Sequence, residues 1–162
     1  MPRPRARCCC LPLQTSPGEA RRGCGDAAPG QAADPAFPAW VLTREGDGAV
    51  VGCTSVFEES PPWFWTEEER AEPAFFLATT VTDPAYAGQR IGALIAWTLL
   101  GHAARTGRAW VRRGTTEPGL VRYYRDVQGW SVIREKERDG FLVTGLARRA
   151  ELQPGLPARV AS

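Results

Sequence analysis

Apolar and polar positions after about residue 39 alternate or cluster in patterns that predict a series of strands and helices. Two strands come first, at 40–43 and 49–57. They are joined through Glu45-Gly46-Asp47-Gly48, and an Asp-Gly pair between apolar runs is a strong hairpin signal. Pro61-Pro62 prevents the second strand from continuing. An acidic, solvated loop follows; its Trp63-Phe64-Trp65 is expected to cover the sheet, with the lining of a substrate cleft as the alternative.

A strand, a glycine-containing turn and a helix occupy the middle of the chain. Residues 75–82 form the β-branched and aromatic run of a buried strand. Pro84 ends that strand because proline has no N–H to donate to a ladder. Beyond a turn that contains Gly88, apolar residues recur at helical spacing and predict a helix over 91–105, which Gly107 ends.

Three more strands and one helix are predicted in the last third of the chain. The strands are 109–112, 131–136 and 141–147, and Asp139-Gly140 gives a second hairpin signal between the last two. Thr115 or Thr116 is expected to cap the helix, with Pro118 in its first turn. The residues expected on its inward face are Leu120, Val121, Tyr124 and Val127.

The order of elements is β-β-β-α-β-α-β-β. It predicts an α/β fold with a mixed, mostly antiparallel sheet built around a central parallel strand–helix–strand unit. Residues 1–38 are rich in proline, glycine, arginine and cysteine and show no apolar periodicity, so we expect disorder there. The folded domain is expected at 39–150, and 151–162 is expected to be a loose tail.

Composition narrows the classes of protein. The 162 residues, 43% of them apolar, are enough for one domain with one core. A formal charge of +2 does not argue for nucleic acid or an anionic membrane as a partner. No apolar run approaches the roughly 18 residues of a membrane-spanning helix, and we expect a cytoplasmic protein. The oligomeric state stays open, with a homodimer among the options.

The cysteines indicate neither a disulfide framework nor a metal site. There are five of them, an odd number, and Cys8, Cys9 and Cys10 are adjacent. Zinc sites need paired cysteines or clustered histidines, and His102 is the only histidine. We therefore expect no metal, and we expect Cys53 to be a small buried side chain within its strand.

The start of the central helix is a candidate anion site. The first N–H groups of a helix have no partner inside it, and the helix dipole adds about half a positive charge there. Gly88 and Gly92 leave the backbone accessible, while Gln89 and Arg90 add donors and a charge. A pyrophosphate on the amides of 88–93 is the natural ligand. The pattern is neither a Walker loop nor a dinucleotide-binding fingerprint, and a turn with no ligand is the alternative.

The same residues carry a family resemblance. The stretch from Val81 to Gly92 resembles the acyl-CoA motif of the GCN5-related N-acetyltransferases (GNAT family), whose core is Arg/Gln-x-x-Gly-x-Gly/Ala. Aligned on its last glycine, Gly92 and Gly88 match the family. Ala87 and Arg90 depart, because arginine or glutamine and the middle glycine are usual at those positions.

An alternative register of the motif matches Gln89 and Gly92 but leaves Leu94 where glycine or alanine belongs. The order of elements over 40–150 is that of the family from its second strand to its last. The family's first strand and first two helices, which help to enclose the acceptor, have no expected counterpart in 1–38. The sequence therefore resembles either a shortened member or one whose start is wrongly assigned.

The resemblance implies transfer of an acetyl group from acetyl-CoA to an unidentified amine by direct attack. The oxyanion donors would be backbone amides near Thr80 and Val81, where the family splays its strands to admit the pantetheine arm. The positions that would bind acetyl-CoA, the co-substrate, are Thr80, Val81, Thr82, Gly88, Gln89, Arg90, Ile91, Gly92 and Ala93.

A general acid must protonate the departing thiolate, and the family uses a tyrosine in a Tyr-x-x-x-Gly-Phe pattern. Here Tyr124 precedes Gly129 with one extra residue, and Trp130 replaces the phenylalanine. The resemblance thus implies that Tyr124 is the acid, since a neutral phenol can donate a proton. Tyr123 is the alternative, and a core tyrosine without a catalytic role is another.

The general base is less clearly marked. The family often carries a glutamate on the strand before the motif, and 75–81 contains none. Glu58, followed by Glu59, is the nearest carboxylate by topology, and a surface pair or water acting as base are the alternatives. His102 lies about three turns along the helix, which favours a structural role. A non-catalytic acyl-CoA-binding module and an interaction domain without cofactor are the competing functions.

Overall fold

The computed structural model describes residues 11–12 and 39–154. The strands are β1 (Leu11–Pro12), β2 (Ala39–Thr43), β3 (Val50–Phe57), β4 (Ala74–Thr82), β5 (Trp110–Thr115), β6 (Ser131–Arg138) and β7 (Phe141–Arg149). The helices are α1 (Glu67–Ala71), α2 (Ile91–Arg105) and α3 (Pro118–Gln128), and a 3₁₀ turn spans Pro84–Tyr86. The disorder expected for 1–38 lies outside the described residues, except that the backbone of β1 pairs with β2.

The chain divides into two compact units. Of the described residues, the first takes in β1, 39–56 and Thr79–Thr98, and the second takes in Phe57–Ala78 and Leu99–Gln153. Strand β4 and helix α2 each contribute residues to both units. All the expected strands and helices appear in the expected sequence, with β1 and α1 in addition. The fold is a mixed α/β fold whose pairings are mostly antiparallel.

In the first unit, β2 and β3 form the expected hairpin, with Val41 opposite Cys53 and Arg44 N–H donating to the Ala49 carbonyl over 2.8 Å. Helix α2 packs closely on β3 at Gly52. A Cβ atom at this position would lie 3.0 Å from the side chain of Ile91 and 3.2 Å from the carbonyl oxygen of Val81. Glycine at position 52 therefore sets how near the helix comes to the strand.

In the second unit, β4 pairs in parallel with β5, from Ala74 opposite Trp110 to Leu77 opposite Arg113. This is the parallel pair that the strand–helix–strand pattern predicted. Strand β7 lies antiparallel between β5 and β6. The predicted β6–β7 hairpin turns through Asp139-Gly140, both at positive φ, which suits the right-handed twist of the two strands.

The aromatic loop covers the sheet, as the favoured interpretation predicted. Phe64 and Trp65 are 2% and 3% exposed, and they pack with Ala147. The Phe64 ring lies against the backbone of Gly145, where an added Cβ atom would come within 2.1 Å of it. Trp63 is the exception, since it is 38% exposed.

Helix α1 was not predicted; the acidic run at 67–72 was assigned to the connecting loop. Thr66 caps this helix through a reciprocal pair of hydrogen bonds with Glu69, at 3.2 Å and 2.9 Å. The Thr-x-x-Glu spacing is a capping-box signature that is visible in the sequence. The helix is charged and buries no residue of its own, so no apolar periodicity marks it in the sequence.

Two expectations for α3 were wrong. Its N-cap is Glu117 rather than a threonine, and Pro118 occupies the first turn as predicted. The inward face also differs, since Leu120 and Val127 are 41% and 48% exposed, whereas Tyr124 and Gln128 are buried. Gln128 takes the inward position because its side-chain amide oxygen Oε1 accepts a hydrogen bond from the buried Trp130 indole over 3.0 Å.

Candidate active site

The connection from β4 to α2 is held by one hydrogen bond to β3 and by hydrogen bonds within the turn itself. Strand β4 ends at Thr82, and Asp83 N–H donates to the Val51 carbonyl over 2.9 Å. The Asp83 carboxylate then accepts from Ala85 N–H over 2.9 Å and so caps the 3₁₀ turn. Gly88 follows at φ +80°, a conformation that glycine adopts without steric cost. These contacts fix the direction in which α2 begins.

Arg90, the residue before α2, has a left-handed backbone with φ +59°. That conformation costs a non-glycine residue about 1–2 kcal/mol. In the register that aligns Gly92 with the last motif glycine, Arg90 occupies the middle-glycine position. The backbone there has the conformation that a glycine would supply, which favours this register over the alternative. The guanidinium itself lies over the Trp97 ring, 5.4 Å from its centroid.

Gly92 has no structural reason to be a glycine. It lies in the first turn of α2 with ordinary helical φ, and nothing lies within 4 Å of a Cβ atom added there. Glycine in a helix costs about 0.5–1 kcal/mol relative to alanine. Its neighbours Ile91 and Ala93 are buried, so this turn presents its bare backbone on the open side. Among the amides here, those of Gln89 and Ala93 donate to the carbonyls of Tyr86 and Arg90.

Strand β4 continues beyond its pairing with β5. The parallel ladder ends at Leu77 opposite Arg113, whereas the strand runs on to Thr82. Exposure changes at the same point, because Ala74 and Leu77 are buried while Ala78 is exposed. Thr80 and Val81 are half-buried and Thr82 is exposed; the Thr80 hydroxyl pairs with that of Thr54 over 2.9 Å.

Tyr124 lies in a buried cluster with Arg113 and Trp130. It is 8% exposed, and its hydroxyl accepts a hydrogen bond from Arg113 Nη2 over 2.8 Å. The guanidinium carbon lies 3.6 Å from the centroid of the Tyr124 ring and 5.3 Å from that of Trp130. Burial lowers the pKa of Arg113, and the neighbouring tyrosines Tyr124 and Tyr123 oppose this shift. The guanidinium still stays charged at neutral pH.

Tyr123, the alternative acid, is half-buried, and its ring lies 5.9 Å from that of Tyr124, centroid to centroid. Both tyrosines are therefore in the same region of α3. The hydroxyl of Tyr124 is the one that accepts the hydrogen bond from Arg113.

Glu58 lies in a different place from Tyr124. Its side chain is 74% exposed, and it forms an ion pair with Arg108 over 3.2 Å. Arg108 precedes β5, whereas Arg113, the partner of Tyr124, lies within it, about 16 Å further along an extended chain. The structure therefore does not bring the two candidate catalytic side chains together.

His102 packs as a structural residue. Its ring stacks on Phe75 with centroids 5.5 Å apart and an angle of 20° between the planes. Burial lowers the pKa of His102, and the charges of Arg105 and Arg108 lower it further.

Arg113 was not singled out from the sequence. The available signal was the pair Arg112-Arg113 at the end of the strand predicted over 109–112, because charges that a strand buries need partners. Successive side chains of a strand point to opposite faces. Arg112 accordingly donates to Ser60 and to the Glu69 carbonyl, while Arg113 contacts Tyr124.

The described residues contain neither a cluster of metal ligands nor a membrane-spanning helix. Within residues 39–154, no group of three or more histidine, cysteine, aspartate or glutamate side chains is placed to hold a metal ion. Among the helices that the structure describes, none has the length and apolar character needed to cross a membrane.

Solved structures that align with this chain include acetyltransferases. A GNAT-family acetyltransferase of Listeria monocytogenes aligns with a TM-score of 0.55 and 13% identity, over 68% of this chain and 63% of that protein. A protein assigned to the same family in Bordetella pertussis aligns with a TM-score of 0.53 and 19% identity, over 70% and 66%. This chain thus spans slightly less than two thirds of either protein. At such identities the likeness shows the fold alone.

A protein of Salmonella typhimurium, described as an acetyltransferase and solved with its cofactor acetyl-CoA, aligns with a TM-score of 0.51 and 17% identity. The alignment covers 76% of this chain and 70% of that one. A search of curated proteins returned no match. The profile of the acetyltransferase (GNAT) family matches residues 9–130, beginning inside the segment that we expected to lie outside the domain. Since that match covers well over half of the sequence, the chain belongs to the GNAT family of acetyltransferases.

Proposed function

We propose that the protein is a cytoplasmic N-acetyltransferase that transfers an acetyl group from acetyl-CoA to an amine by direct attack. The observation that carries the proposal is Gly92, a helix-start glycine that neither backbone conformation nor packing requires. A ligand that approaches the backbone supplies the missing reason. Family membership makes acyl-CoA the ligand to test first.

In the proposed complex, the pyrophosphate binds at 88–93. The donors are the amides of Gly88, Arg90, Ile91 and Gly92, assisted by the Gln89 and Arg90 side chains; Ala93 completes the turn. The amide of Val81, with Thr80 and Thr82 beside it, faces the thioester arm and its developing oxyanion. The extension of β4 beyond its ladder with β5 supports this assignment.

The amine must lose its proton and the thiolate must gain one. We propose Tyr124 as the acid, supported by its position before Gly129 and by the hydrogen bond that its hydroxyl oxygen accepts from Arg113. Glu58 was the candidate base, but its exposure and its ion pair with Arg108 give it no support. Water is therefore the base that we now favour. The exposure of Glu58 and its ion pair with Arg108 also favour the second candidate function, a module that binds acyl-CoA without turnover.

The binding part of the proposal is tested by thermal unfolding with acetyl-CoA. A ligand at a hundredfold its dissociation constant stabilises the folded state by about 2.7 kcal/mol. We expect Gly92→Asp to abolish this stabilisation, because the carboxylate takes the place of the pyrophosphate. The variant should fold normally, since an acidic side chain in a first helical turn is favourable.

Gly119→Asp is the matched control. Gly119 is the second residue of α3 as Gly92 is of α2. A Cβ atom added at Gly119 would meet only the end of the Arg122 side chain, at 4.0 Å. We expect this variant to keep the full acetyl-CoA shift. An unchanged shift in Gly92→Asp contradicts the assigned site. Release of CoA thiol with a panel of amines (spermidine, kanamycin, lysine and a short peptide) then separates the enzyme from the non-catalytic module.

A further inference from the structure

The charge of Arg113 is held in the interior of the second unit by aromatic rings. Arg113 is 5% exposed, and its guanidinium lies against the rings of both Tyr124 and Trp130. Burying a charge is costly unless neighbouring groups compensate for the lost hydration. Cation–π contacts are stronger in a desolvated site than at the surface, and they supply that compensation here.

The position of the Trp130 ring follows from the way α3 ends. Gly129 adopts a left-handed conformation with φ +71°, and the N–H groups of Gly129 and Trp130 both donate to the Tyr124 carbonyl. This is a glycine-terminated helix end, which turns the chain back on itself. The Trp130 indole is then fixed by Gln128. The residue in the acid position thus anchors the helix end through its backbone and meets Arg113 through its side chain.

The hydrogen bond between Arg113 and Tyr124 can run in only one direction. A guanidinium has donors and no acceptor, so the Tyr124 oxygen accepts. The phenol's own hydrogen is therefore not used in this contact and remains available for a different acceptor. A carboxylate in place of Arg113 would instead accept a hydrogen bond from the phenol, and the phenol's hydrogen would no longer be available.

We infer that Arg113 is a positioning residue that orients the Tyr124 hydroxyl for proton donation and stabilises the phenolate that donation leaves. This inference rests on the proposed acetyl transfer. The amine nitrogen bonds to the thioester carbonyl carbon, the C–S bond breaks, and sulfur keeps the electron pair. Sulfur takes the proton from Tyr124, the amine's surplus proton passes to water, and solvent returns a proton to the phenolate. Until that proton returns, the phenolate accepts a hydrogen bond from the oppositely charged Arg113 guanidinium, and this bond is stronger than the one that the neutral phenol accepts.

The test is a double-mutant cycle on turnover of acetyl-CoA with the most active amine of the panel. Arg113→Gln removes the charge, and we expect kcat to fall at least about tenfold while the KM for acetyl-CoA changes by less than about threefold. Tyr124→Phe should lower kcat by at least as much. In the Tyr124→Phe background, Arg113→Gln should cost less than about twofold more, because the two residues act as a unit. Arg113→Lys keeps a charge and should recover part of the loss.

Arg112→Gln is the control, since Arg112 is the buried neighbour of Arg113 on the opposite face of β5 and contacts Ser60 and Glu69. It should lower stability and leave kcat within about twofold, and its effect should be independent of Tyr124. If Arg113→Gln does not fold, Arg113→Lys takes its place in the cycle, with an intermediate loss of kcat expected.

Three outcomes overturn the inference. The first is a wild-type kcat in the folded Arg113 variants, and the second is a loss in the double variant that equals the product of the single losses. The third is a wild-type kcat in Tyr124→Phe, which refutes the acid itself. Absence of turnover in the unmodified protein overturns the proposed function and the inference with it, and so differs from the failures confined to Arg113.

Discussion

Arg90 combines a departure from the family's motif with an unfavourable backbone. Its φ of +59° is that of a glycine position, and its side chain is held over Trp97. The cation–π contact, at an exposed site, stabilises the fold by about 0.5–1 kcal/mol. It therefore offsets part of the roughly 1–2 kcal/mol that the left-handed backbone conformation costs. We interpret Arg90 as a residue that gives up some stability to place a positive charge beside the proposed pyrophosphate.

A pair of substitutions measures that strain. Arg90→Ala and Arg90→Gly both remove the side chain, and they differ only in tolerance of positive φ. Glycine adopts positive φ without steric cost, but it loses more chain entropy on folding than alanine does. With both effects counted, we expect the free energy of unfolding of Arg90→Gly to be about 1 kcal/mol higher than that of Arg90→Ala. Urea unfolding of the two variants measures the difference. Equal stabilities would show that residue 90 is not left-handed in solution.

At the scale of the element, α1 is a short charged helix held by its contacts rather than by a buried face. The Glu69 carboxylate accepts from Thr66 N–H and from both terminal nitrogens of Arg134, at 2.8 Å and 2.5 Å. The two hydrogen bonds from Arg134 connect α1 to β6. The hydrogen bond from Arg134 lowers the pKa of Glu69 to about 2, from an ordinary value of 4.5.

Glu69→Gln isolates the charge of this contact, because glutamine can still complete the capping box. The carboxylate's pKa is lower in the folded state, so its stabilisation is complete above about pH 4.5 and is lost as the pH falls towards about 2. At pH 7 we expect a loss of about 1 kcal/mol, reduced by solvent because the side chain is 25% exposed. Urea unfolding between pH 2 and pH 7 should show the difference from the unmodified protein shrinking towards acid. The exposed neighbour Glu68 gives the control Glu68→Gln, which we expect to change the free energy of unfolding at pH 7 by less than about 0.5 kcal/mol.

Helix α3 shows how one side chain changes the face that an element buries. Apolar periodicity predicted Leu120, Val121, Tyr124 and Val127 on the inward face. The structure buries Tyr124 as expected, but it exposes Leu120 and Val127 and buries Gln128. The hydrophobic pattern ranks Val127 above Gln128, but only Gln128 can accept the hydrogen bond of the buried Trp130 indole. A polar residue with a buried partner outweighs the apolar periodicity here.

At the scale of the whole molecule, the contacts of Glu58 and Tyr124 lie towards opposite ends of β5. We therefore expect Glu58→Gln to leave kcat within about twofold at pH 7, against the loss of at least about tenfold that we expect for Tyr124→Phe. CoA release with the most active amine measures both. A tenfold loss in Glu58→Gln alone would restore Glu58 as the base.

The sequence by itself determined the order of elements after residue 39, both hairpins, the parallel strand–helix–strand unit and the glycine turn before α2. These features depend on periodicity and on proline and glycine chemistry, which act over a few residues. It also contained the signal for α1, in Thr66 and Glu69, that we did not use.

Only the tertiary structure decided which residues meet. The contact of Phe64 with Gly145, the partnership of Arg113 with Tyr124 and the ion pair of Glu58 with Arg108 join positions far apart in the chain. A periodic pattern states that a residue faces inward but not what it faces. Hydrogen bonds and ion pairs depend on that second fact, because their strength requires a partner atom at a defined distance and angle.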